Sequence, residues 1–275
     1  MNIQRGRQTA AMTLMVSLLA LFAALSGLFN KNIYTDVYKA GTISEFLVSG
    51  SLAQDIIAVP LGLLLAGLSL AFLKSTSIMA FISILGLNGF FFYGYGLYSI
   101  QGQYTSIYLV YLAVFGLSLY SLIWGLTSFG QDEAKNYRLP GALRKTISIF
   151  LLAIVLVLVP MWLSLVSLDI ARHIPGDTYG VFVLDLCVVF PALTIIAVML
   201  WQNKPYGNIL AGVALYKVLT VCLSVAFGEW FNPFYRGAQL NYTGFAIFAG
   251  LTVGSLVLIV LYLINLDKKD KPGEV

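Results

Sequence analysis

Four polar residues in this sequence stand inside stretches otherwise suited to hydrocarbon: Asp55, Asn88, Asp185 and Lys217. Asp185 lies in "VFVLDLCVVFP" (181–191) and Asp55 in "QDIIAVP" (54–60), each with a proline shortly after it. An acid within a membrane is costly and marks a proton or cation site by default. A lysine there needs a partner or a water-filled cavity. Together the two types suit proton-coupled movement of a solute. The bland alternative is a static ion pair that fixes helix register. Either role requires helices that bring the residues to one level.

Composition says what those helices are. The chain has 275 residues, 59% hydrophobic and only 10% charged, whereas soluble domains carry about 25% charged residues. Eight apolar runs cover 9–29, 52–73, 76–100, 104–129, 146–168, 180–201, 208–228 and 243–266. Each matches the roughly 20 residues a helix needs to span a bilayer. Strands of a membrane barrel would alternate over about ten residues, and these runs do not. The expectation is an all-α polytopic transmembrane bundle of about eight spans, a single integral membrane domain over 1–275. Residues 130–145 form a linker on the side of the termini, and 267–275 a tail.

Basic residues set the orientation. With the N-terminus in the cytoplasm, that side holds Arg5, Arg7, Lys74, Lys135, Arg138, Arg144, Lys145, Lys204, Lys268, Lys269 and Lys271. The outer side holds Lys31, Lys39, Arg172 and Arg236. This asymmetry places both termini in the cytoplasm, and the net charge of +4 reflects it rather than nucleic-acid binding.

The acid spans repeat. "QDIIAVPLGLLLAGLSLAFLK" (54–74) and "LDLCVVFPALTIIAVMLWQNK" (184–204) each place a Lys 19 positions after the Asp, with Pro60 and Pro191 between. "GLSLYSLI" (116–123) and "GLTVGSLV" (250–257) extend the match. The implied duplication is 9–129 and 146–266. Four spans per copy make the halves parallel, related by an axis along the membrane normal.

Depth separates the candidates. Asp55 and Asp185 lie roughly 5–8 Å below the outer edge of their runs, and Lys217 roughly 14 Å into its own, near the midplane. An interfacial Asp can simply cap a helix or accept from a nearby Tyr. Lys217 is too deep to snorkel easily, and Asp185 on the preceding span is its expected counter-charge. The first copy has Leu87 or Asn88 where the second has Lys217, so the halves are not chemically equivalent. The third span, "GLNGFFFYGYGLYSI" (86–100), combines Gly86, Gly89, Gly94 and Gly96, which permit close helix approach, with an aromatic run. Its reading is an interfacial aromatic belt, or a cavity wall with Tyr93 and Tyr95 as polar handles. The loop 30–51, with Asp36 and Glu45 among apolar residues, suits a short amphipathic lid. Cys187 and Cys222 read as small buried hydrophobes, and no metal or cofactor is called for.

"QDIIAVP", "YLVYLAVFGLSLYSLI" and "LDLCVVFPALTIIAVMLWQNKPYGNILAGVALYK" resemble a family of bacterial integral membrane proteins of uncharacterised function. The likeness spans most of the chain. It includes the acid-then-Pro span in each half, the turn Lys204-Pro205-Tyr206-Gly207 and a following Lys, here Lys217. An Asn expected in the approach to the fourth span is missing from "IQGQYTSIY". The resemblance implies a bacterial plasma-membrane location and brings no activity.

No phosphate loop, nucleophile elbow, zinc-protease or paired-Cys motif is present, which argues against an enzyme of those classes. Two functions compete. One is a small-solute or ion-coupled transporter using Asp185 and Lys217. The other is a non-transporting scaffold or accessory subunit, with the same residues as a structural pair. An enzyme acting on lipid is a distant third, since no acids cluster. The expected partners are the bilayer, a small solute or a proton or cation, and a further copy or membrane complex.

Overall fold

The computed structural model describes residues 1–30, 32–130, 134–237 and 239–268. Lys31, Lys269, Lys271 and the end of the tail lie outside the described residues. The chain is an all-α bundle: α1 (Ile3–Phe29), α2 (Asn32–Lys39), α3 (Glu45–Lys74), α4 (Ile78–Ile100), α5 (Tyr108–Leu126), α6 (Gly141–Arg172), α7 (Tyr179–Trp201), α8 (Pro205–Arg236) and α9 (Tyr242–Asn265). All but the short α2 are long and apolar enough to cross a bilayer, so this is an integral membrane protein, with eight candidate spans among the described residues. Caps fit the sequence. Asn2, Ser44, Ser77 and Asn241 each accept from a backbone N–H three residues on, satisfying one of the orphan donors at a helix start.

Several helices outrun their hydrophobic segments. α6 begins at Gly141 rather than 146, and α8 continues from 228 to Arg236. Helical hydrogen bonding does not stop at the hydrocarbon edge, and Lys145 can lay its stem beside Trp201, its ammonium 5.9 Å from the ring. On the face that carries the N-terminus, a two-residue ladder pairs β1 (Tyr137–Arg138) with β2 (Asp267–Lys268). Tyr206 donates to the Phe129 carbonyl and Asn208 to that of Tyr137. The segment expected to be a plain linker is therefore stitched to the turn before α8.

α4 is the axis of the molecule. Every residue from Phe81 to Gly96 is buried, and so is Tyr98. This corrects the belt expectation for the third span. Aromatic side chains at a membrane interface would be partly exposed, and these are packed against α1, α3, α5 and α8. Glycines make the packing possible. A Cβ on Gly86 would overlap the Tyr216 Cβ and lie 3.1 Å from the Val213 carbonyl oxygen, and one on Gly89 would lie 3.2 Å from the Lys217 Cγ. α4 and α8 thus cross at backbone distance, as small residues at a membrane-helix interface allow.

Each set of four spans packs in the same order. The first span meets the second, and the third meets the fourth; likewise the fifth meets the sixth, and the seventh the eighth. One seam differs. α1 and α5 pack along each other, whereas their positional counterparts α6 and α9 barely touch.

α7 is interrupted. Residues Asp185–Val189 form a π turn, and the Phe190 N–H reaches back five residues to the Asp185 carbonyl. Pro191 has no N–H to give, so a regular ladder cannot continue through it. The extra residue accommodates that gap, and such bulges gather at functional positions.

Candidate functional site

A cavity of about 280 Å3 lies among α3, α4, α6, α7, α8 and α9. Asp185, Lys217 and Tyr93 line it, as does Trp162, which the sequence reading did not single out. A signal for it existed: Trp162 stands ten residues short of the end of α6, deeper than the helix ends where interfacial Trp belongs. Polar side chains gather at the end away from the N-terminal face, including Gln54, Gln101, Gln103, Glu229 and Asn232. The deeper walls are Ile154, Leu158, Leu193 and Val218.

Asp185 is 7% exposed, and its Oδ2 accepts from Trp162 Nε1 at 2.7 Å. Lys217 Nζ sits 4.4 Å from the centroid of the Tyr93 ring, a cation–π geometry. Asp185 and Lys217 are close enough to interact through their charges. Among the described residues, however, no salt bridge joins them and no oxygen accepts a hydrogen bond from Lys217 Nζ. The expected counter-charge is thus nearby but not in contact. Lys217 stands twelve residues into α8, roughly 18 Å along it, as a midplane position requires.

Asp55 is a different case. It is 1% exposed and does not line the cavity. Tyr34 on α2 donates to its Oδ2 at 2.6 Å, and the Tyr98 hydroxyl, which donates to the Ser51 carbonyl at 3.1 Å, lies 3.4 Å from its Oδ1. Gly27 leaves no gap on the third side, since a Cβ there would overlap the carboxylate. α2 is the amphipathic part of loop 30–51, with Ile33, Tyr34 and Val37 as its buried face, whereas Glu45, expected in the same loop, opens the span α3. Burial and the neighbouring Asp55 carboxylate push the Tyr34 hydroxyl well above its ordinary range, so it remains a donor. Replacing Tyr34 by Phe removes the short bond and strands a buried carboxyl. The expected loss is about 1–3 kcal/mol, read as a lower midpoint of thermal unfolding in detergent.

Asn88 and Tyr95 also serve packing. Asn88 Nδ2 donates to the Ser118 carbonyl at 2.9 Å and to Ser121 Oγ at 2.8 Å, tying α4 to α5. Tyr95 donates to the Ala20 carbonyl at 2.9 Å, tying α4 to α1. Neither lines the cavity. Of the six candidates, Asp185, Lys217 and Tyr93 come together, while Asp55, Asn88 and Tyr95 lie elsewhere. Cys222 lines the cavity, and Cys187 is exposed on the bundle surface rather than buried. Among the described residues, no three of His, Cys, Asp and Glu gather as a metal site would need.

No protein-family model, curated protein or solved structure matches this chain.

Proposed function

We propose that this protein is a proton- or cation-coupled transporter of a small solute in a bacterial plasma membrane, with both termini cytoplasmic. The observation that carries the reading is one cavity lined by an acid and a base that do not neutralise each other by contact. A pair meant only to fix register would gain by closing into a hydrogen-bonded bridge, because separated buried charges keep their desolvation cost without the full attraction. The shared packing order of the two sets of four spans supports a duplication in which the second copy supplies the acid and base of the working site and the first has a sealed acid.

Proteoliposomes loaded with a pH-sensitive dye test this. Solutes are presented by class: short and long-chain carboxylates, alkyl phosphates, amino acids, sugars and amines. Wild-type protein is expected to move protons with at least one class, and Lys217→Ala to abolish that flux while remaining monodisperse. Under the scaffold reading, Asp185→Leu combined with Lys217→Leu would be tolerated and either change alone would not. Cysteine labelling gives an independent check. With Cys187 and Cys222 replaced by Ala, Gln54→Cys, in the cavity wall, is expected to react with a membrane-impermeant thiol reagent, and the adjacent Asp55→Cys to resist it.

A further inference from the structure

Lys217 has an unmet need that Asp185 does not. The Asp185 carboxylate already accepts from Trp162, whereas the Lys217 ammonium stands over the face of the Tyr93 ring and, among the described residues, donates to no acceptor. The group that completes this site is therefore an acceptor with negative charge. The walls restrict it further. Beyond Tyr93, Asp185 and Cys222, the deeper walls are hydrocarbon, from Ile154, Leu158, Leu193 and Val218. A small hydrated anion would lose its water there for little return. An anion with an apolar body would gain by burying that body.

The second observation is the loose seam. α6 and α9 meet where Phe150 fills the space beside Gly254. Farther from the N-terminal face, Leu158 and Trp162 of α6 and Phe248 of α9 line the cavity instead of closing on one another. Outside that seam lies the bilayer.

From these features we infer that the ligand is an amphiphilic anion, a carboxylate or phosphate monoester carrying an apolar chain, with its head on Lys217 and its chain toward the α6–α9 seam. The inference rests on the transport reading and deepens it by naming its substrate class. Asp185 and the ligand then compete for one ammonium. A proton on Asp185 would favour the bound anion, which links the two movements. The titratable groups facing Asp185 are Tyr93 from α4 and Lys217 and Cys222 from α8.

Binding can be measured without any transport. The protein has four Trp, so changing Trp124, Trp201 and Trp230 to Phe leaves Trp162 as the reporter. Decanoate and decyl phosphate are expected to change its fluorescence saturably, and decanol and decyltrimethylammonium to bind at least about tenfold more weakly, the factor that one lost charge-assisted contact is worth. Equal binding of either control overturns the inference, with no substitution at the site needed. Lys217→Gln is expected to weaken decanoate by roughly ten- to a hundredfold, and Lys217→Arg to restore most of it. In nanodiscs, lipids with brominated chains should quench Trp162 if the ligand comes from the bilayer. Absence of quenching overturns the lateral route and leaves an aqueous one. Decanoate binding without proton flux would defeat the transport reading alone.

Discussion

With Asp185 replaced by Asn, solute exchange is expected to continue while proton-driven accumulation stops. The carboxamide has nearly the shape of the carboxyl, and its oxygen can still accept from Trp162, so the α6–α7 contact survives. What disappears is a group able to take up and release a proton beside Lys217. Counterflow of labelled solute between equal concentrations needs only binding and reorientation, and should persist. Uptake driven by a pH gradient should fall to the level of empty liposomes. If both fall together, Asp185 binds solute or holds the fold. If neither falls, the coupling site lies elsewhere.

The largest effect on stability is expected at the crossing of α4 and α8. Gly86→Val would drive side-chain atoms into the Tyr216 Cβ and against the Val213 carbonyl. Backbone cannot yield as a flexible side-chain tip can, so the cost should reach about 3 kcal/mol or more. Gly116→Val on α5 is the control, because nothing lies within 4 Å of a Cβ there. Its change should stay within about 0.5 kcal/mol. Unfolding of both variants in detergent, followed by loss of helical signal, measures the difference. Equal midpoints would mean that the two helices do not approach at backbone distance.

The spans were legible because hydropathy reports length and composition, which is what a bilayer selects. The glycines of the third span were legible for a similar reason: only a missing side chain lets backbones meet. Burial within the bundle was not. Lipid and protein interior are equally apolar, so Phe90, Phe91 and Tyr95 carry no mark that separates a belt from a core. The sealing of Asp55 was also hidden, because Tyr34 lies 21 positions away on a different helix. The pairing of Asp185 with Lys217 was half legible. Sequential antiparallel spans bring them near, but spacing alone does not say whether they touch.

The π turn has a mechanical consequence. A regular helix transmits rotation along its length, because each turn is locked to the next by its hydrogen bonds. At Asp185–Val189 that locking is interrupted, so the hydrogen-bond ladder of the outer six residues, Tyr179–Leu184, is offset from that of Phe190–Trp201. Asp185 sits at the joint itself. A small twist there would carry the carboxylate between Trp162 and Lys217 while the rest of the span keeps its packing against α6. The moving part of such a machine would be less than two turns of helix.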